Sequence, residues 1–128
     1  YERFWALLIT GQFVEAREVW MAIKRFKGFP EDVMMGCLGV IEALSGNQQE
    51  ARRISTEIPE VGWRPGERNY WRASIAAHLG ENDRAAAFLT EAFSDGYMFH
   101  DIVGLHAHVE LEPLWDYPPF QELIEPKG

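Results

Sequence analysis

The densest set of metal-ligand side chains lies toward the C-terminal end of the chain, where His100, His106 and His108 stand near Asp101, Glu110 and Glu112. Imidazole and carboxylate together are the ligands that zinc and related ions take. The spacing argues against such a site. His106 and His108, two residues apart, share a face in an extended strand but not on a helix. Neither a His-Glu-x-x-His helix nor paired Cys-x-x-Cys turns are present. Histidines on a surface linker are the simpler account, and a small-ligand or metal-binding sensor using this tail is the alternative function. A second constellation, Tyr70, Arg72 and His78, has only proximity to support it as a reaction centre. No glycine-rich phosphate loop follows a strand, and no Gly-x-Ser-x-Gly elbow exists. Glu31 and Asp32 read as helix-start acids. Cys37 lies among Met34, Met35, Leu38 and Gly39, the setting of a buried, inert thiol rather than a nucleophile. The expectation is a protein that is not an enzyme and carries no catalytic residue, cofactor or metal.

Basic residues form two groups. Lys24, Arg25 and Lys27 crowd the end of one expected helix, where cations suit the dipole. Arg64, Arg68 and Arg72 recur every fourth residue, the last two on one helix face. Such a stripe is either a solvated face or an anchor for an acidic peptide or carboxylate. The net charge of −8 argues against nucleic acid and anionic membrane as primary partners.

The chain has 128 residues, of which 47% are hydrophobic and a quarter are charged. That is the length and balance of one globular domain. Its longest apolar run, Val33 to Leu44, is too short to span a bilayer and carries Glu42. A single cysteine rules out an internal disulfide and fits a reducing, cytoplasmic compartment. A helix already under way at Tyr1, with no initiating Met, points to a piece of a longer protein.

The elements that must position these residues repeat. A turn signature recurs as Gly11-Gln-Phe-Val-Glu-Ala16, Gly46-Asn-Gln-Gln-Glu-Ala51 and Gly80-Glu-Asn-Asp-Arg-Ala85, its glycines at a spacing of 35 and then 34. Gly28-Phe29, Gly62-Trp63 and Gly96-Tyr97 add a glycine-aromatic pair at a constant spacing of 34. A period of this size is that of stacked helix pairs, in which no hairpin buries its apolar face alone. Glycines 11, 46 and 80 supply the positive φ of a tight inter-helix turn. Asn47 and Asn82 are candidate caps, with Glu15, Glu50 and Asp83 near helix starts. Ala16, Ala51 and Ala85 mark the close contact inside each pair. Gly28, Gly62 and Gly96 read as helix-ending residues.

Along the chain this predicts helices over 1–10, 13–26, 30–44, 48–59, 66–78 and 82–93, with Pro30 and Pro65 as helix starters. Gly39, Ala73 and Ala107 form a series of small residues where helices approach. Residues 100–111 read as a fourth first-helix or a looser segment. A short closing helix, Phe120 to Ile124, follows the prolines at 113, 118 and 119. With Trp115 and Phe120 as anchors, it would cover the last apolar face.

On these residues the chain resembles the tetratricopeptide repeat family over roughly residues 1 to 96. The third unit matches best, through Trp71, Ala73, Leu79-Gly80, Ala85, Leu89 and Ala92. The first unit has Phe4 where a small residue is expected. The second has Glu42 at a usually aromatic position, and Ser55 where Trp20 and Leu89 stand in the others. The tail, Leu111 to Ile124, resembles the ending of bacterial multidomain signalling and regulatory proteins that carry such repeats. The resemblance implies an all-α, right-handed superhelix of stacked hairpins: three pairs in 1–96 and a capping segment in 97–128. It implies a non-catalytic scaffold that binds a protein or peptide, with self-association left open. The concave face would display Trp5, Val40, Tyr70, Ser74 and His78, with Arg68 and Arg72 at its rim; the alternative is that several of these aromatics pack between repeats. The Asn and Lys residues with which some family members clamp a C-terminal carboxylate have no counterparts at these positions.

Overall fold

The computed structural model describes residues 2–25, 30–59, 66–95 and 109–124. These are helical, with no strand among the described residues. Three hairpins follow in order: α1 (Glu2–Ile9) with α2 (Phe13–Lys24), α3 (Glu31–Leu44) with α4 (Gln48–Glu57), and α5 (Glu67–His78) with α6 (Asn82–Ser94). A 3-10 segment, Val109–Leu114, and a short helix α7, Pro118–Ile124, complete the described chain.

One turn is built three times. Gly11, Gly46 and Gly80 all hold positive φ, in the left-handed region that a Cβ disfavours. The residue after each glycine donates its N–H to a carbonyl five residues back: Gln12 to Leu7 at 2.8 Å, Asn47 to Glu42 at 2.9 Å, Glu81 to Ala76 at 2.9 Å. The glycine N–H groups bond three residues back, to Leu8, Ala43 and Ala77. That pair of bonds is the Schellman ending, which satisfies carbonyls a helix would otherwise leave open. The same three residues then start the next helix, their carbonyls accepting from Ala16, Ala51 and Ala85 at 3.0, 3.0 and 2.9 Å. Backbone geometry thus serves where side-chain caps were expected: Gln12, Asn47 and Glu81 are the cap positions, and none makes a side-chain cap bond. Asn82 is instead the first residue of α6. Pro30 precedes α3 in extended conformation, and Gly66, also at positive φ, precedes α5. Gly28, Gly62, Gly96, Pro65 and Ala107 lie outside the described residues.

Ala16, Ala51 and Ala85 each have 0% exposure, as the period requires. Enlarging such a contact forces the two helices of a pair apart. Ala85→Leu is expected to destabilise by about 1–3 kcal/mol, and Ala87→Leu, at an exposed position of the same helix, to change little. Chemical denaturation of both variants checks this; equal midpoints would remove the contact argument.

The two central first helices carry the core. α3 packs against α2, α4 and α5, and α5 against α3, α4, α6 and the 3-10 segment. Two glycines let α5 approach α3. A Cβ added to Gly36 would fall 2.4 Å from the Trp71 ring, and one on Gly39 would fall 2.3 Å from the Ile75 side chain. Phe4, at the equivalent place in α1, is buried. The second helices bury fewer residues, Ala16 and Trp20 on α2, Ala51 and Ile54 on α4, and Ala85, Leu89, Ala92 and Phe93 on α6.

The end piece differs in detail from expectation. Phe120 is fully buried, but Trp115 is 37% exposed and is not one of the buried core residues. Leu111 and Leu114 are the other fully buried tail residues. The 3-10 segment lies on α5 and α7 on α6, while the Tyr117 hydroxyl donates to the Asp83 carboxylate. That carboxylate holds the phenol above its ordinary pKa.

Candidate functional site

The strip expected to line an open groove is packed into the fold. Trp5, Val40, Tyr70 and Ser74 are buried, each at 2% exposure or less. The reason is local. Trp5 stacks on Trp71 with ring centroids 6.3 Å apart and planes 19° from parallel, and it reaches His78 at 6.2 Å. Tyr70 sets its ring edge-on to Trp71 at 5.4 Å. Aromatic pairs at these separations add cohesion beyond their buried area. The tail's 3-10 segment lies along α5 as well. The face read as a display surface is therefore an interior contact.

Arg68 and Arg72 are not at the rim of that strip. Each lies two residues from Tyr70, and Arg72 lies two from Ser74, which in a helix places them on the opposite side of α5. Arg72 there donates through Nε to the Ser55 carbonyl at 2.8 Å and through a terminal nitrogen to the Thr56 carbonyl at 3.2 Å. It thereby ties the last turn of α4 to α5, where a cation suits the helix end.

On that side, between α4, α5 and α6, lies a cleft of about 310 Å³. Ile75 and Ala76 form a buried floor, with Leu79 and Phe88 half-buried beside it. Arg52, Arg72 and Arg84 edge the cleft together with one carboxylate, Glu81. Arg52 bonds Glu81 at 3.1 Å; Arg84 is 3.8 Å from the same carboxylate and lies over the Phe88 ring at 5.6 Å. The side chains of Arg52 and Arg84 remain substantially exposed. Three arginines around one carboxylate give an electropositive, partly apolar recess on an acidic chain.

His78 ends α5, its Nδ1–H donating to the Ser74 carbonyl at 2.8 Å. Burial pushes its pKa below the ordinary value near 6.5, and the bond to Ser74 opposes this only in part. A neutral imidazole is thus favoured by the fold. The stability this contributes is complete above pH about 6.5 and is lost as pH falls from there through the depressed folded value. Thermal melts between pH 7.5 and 5.5 should show the midpoint falling in the parent chain and holding in His78→Leu. A parallel decline in both would assign the acid sensitivity elsewhere.

No group of three or more metal-ligating side chains occurs among the described residues. His100, His106, His108 and Asp101 lie outside them. Cys37 is buried, and no helix among the described residues is long and apolar enough to cross a membrane.

Sequence reasoning reached Arg72 but missed Arg52, Arg84, Glu81 and Phe88 as its companions. The signal that finds them is Ser55, a departure from the repeat. A serine in place of a tryptophan or leucine leaves a space, and the residues around that space are the ones that matter. Comparison of the chain with family models, curated proteins and solved structures returns no match.

Proposed function

We propose that this chain is a non-catalytic, tetratricopeptide-like module: helical hairpins stacked into a right-handed superhelix, serving protein interaction within a larger cytoplasmic signalling or regulatory protein. The observation that supports the reading most is the turn repeated three times in one hydrogen-bonded form, each followed by a fully buried alanine. Units of this kind stack by nearest-neighbour contact and offer extended surfaces rather than enclosed reaction centres. Ion pairs carry the same logic across the junctions. Arg17 on α2 bonds Glu42 on α3 at 2.5 Å, and Arg52, its equivalent on α4, reaches Glu81 before α6. Ala86 stands at the corresponding place on α6, after which the tail, not another described hairpin, takes over.

The test is affinity capture with the intact chain, followed by titration calorimetry with the captured protein made in pure form. Saturable binding with a negative heat-capacity change is expected, the mark of apolar surface buried on association. The reading is overturned if no captured protein binds once purified while a divalent metal or small metabolite raises the melting temperature.

A further inference from the structure

The two junctions between hairpins occupy equivalent places in the repeat, and they differ in the side chains that line them. At the first, between α2, α3 and α4, the Trp20 indole packs inward and donates Nε1–H to the Met34 carbonyl at 3.0 Å. Beside it the buried Glu42 accepts from Arg17 and, at 2.8 Å, from the Asn47 amide. At the second junction, one repeat further on, Ser55 stands at the place of Trp20 and Ala76 at the place of Glu42. Two large side chains become small there, beside the cleft of about 310 Å³ that Ser55 and Ala76 line.

Charge changes in the same direction. Arg72 replaces Leu38, and Arg84 replaces Glu50, while Arg52 keeps the place of Arg17. At the first junction Arg17 meets Glu42 and Arg53 holds Glu50; at the second, three arginines line the cleft with Glu81 as the one carboxylate. A stacking contact alone does not require three arginines around one carboxylate: at the first junction Trp20 is buried where the second has Ser55, and one arginine, Arg17, meets Glu42.

We propose that this recess binds an acidic peptide segment of a partner protein, carboxylates meeting Arg52 and Arg84 and an apolar side chain entering over Ile75 and Phe88. Arginine suits the role because its planar fork pairs bidentately with carboxylate, and Arg84 is held here over an aromatic face. Arg72, fixed by two α4 carbonyls, forms the rigid wall. The inference rests on the interaction-module reading and gives it a place and a partner chemistry.

The test uses the full chain and a fluorescein-labelled synthetic peptide of glutamates flanking a single leucine, read by anisotropy. Two variants restore features of the first junction: Ser55→Trp puts an indole into the space, and Arg84→Glu restores the carboxylate of Glu50. Each is expected to weaken peptide binding at least tenfold while circular dichroism and the melting profile keep their form. Arg84→Lys should lose less, and raising salt should weaken the parent's binding. Should Ser55→Trp fail to fold, the Arg84 pair decides alone. Undiminished binding by both variants, or equal binding of a peptide with lysines for glutamates, overturns the proposal. Displacement of the peptide by equimolar citrate assigns the recess to small polycarboxylates and overturns the peptide class. A purified protein partner that binds both variants like the parent sinks this site while leaving the interaction-module reading intact.

Discussion

Removing residues 109 to 128 is expected to lower the melting temperature by on the order of 10 °C or more and to make the chain bind hydrophobic dye. Leu111, Leu114 and Phe120 are each fully buried, against a surface formed by α5 and α6. Burial of such a side chain contributes roughly 1.5–3 kcal/mol, so losing three outweighs any entropy regained by a shorter chain. The truncation also uncovers the apolar side of the last hairpin, which promotes association. Trp115→Ala is the contrasting variant. Its side chain is more than a third exposed, and a surface change of this kind moves stability by about 0.5 kcal/mol or less. A truncated chain that melts within two or three degrees of the parent, monodisperse and silent to dye, would mean the tail is a passenger.

The turns were legible in the sequence because their chemistry is local. A glycine at positive φ and an alanine five residues later determine a hydrogen-bonded form within six residues, and all three copies obey it. Helix ends were less so: α2 stops at Lys24 rather than Phe26. The segment 100–111, read as a fourth first-helix or a looser stretch, is described only at its end, which belongs to the 3-10 stretch Val109–Leu114, where Leu111 leaves helical geometry and Pro113 has no N–H to give. Whether the strip of Trp5, Val40, Tyr70 and Ser74 is open or packed was not legible, for a different reason. Placing Trp5, Val40, Tyr70 and Ser74 on one side was a matter of register; knowing whether that side is open depends on contacts between distant elements. Trp5 meets Trp71 across half the length of the chain, and no periodicity reports that. The cleft falls between these cases. Its arginines are scattered over three helices, yet the serine that vacates it was visible as a break in the repeat.

The Trp71 ring is where those distant contacts converge, and Trp71→Ala is expected to destabilise the fold by about 3–5 kcal/mol. The ring lies on Gly36 of α3, stacks with Trp5 of α1, and donates Nε1–H to the Glu67 carboxylate at 3.0 Å. Three hairpins lose a common contact at once. The decisive experiment is the cycle with Gly36→Ala. Alone, that change puts a methyl 2.4 Å from ring carbons. Overpacking of this kind costs about 1–3 kcal/mol, offset by roughly 1 kcal/mol because alanine favours a helix interior over glycine. With the ring gone, the clash disappears and the helix preference remains, so the second substitution should turn from harmful or neutral to stabilising. Denaturant unfolding of the parent, both single variants and the double variant gives the coupling, expected at about 1–3 kcal/mol in favour of the double variant. If Gly36→Ala has the same effect in both backgrounds, Trp71 does not lie on that glycine, and the close approach of α3 and α5 must have another cause.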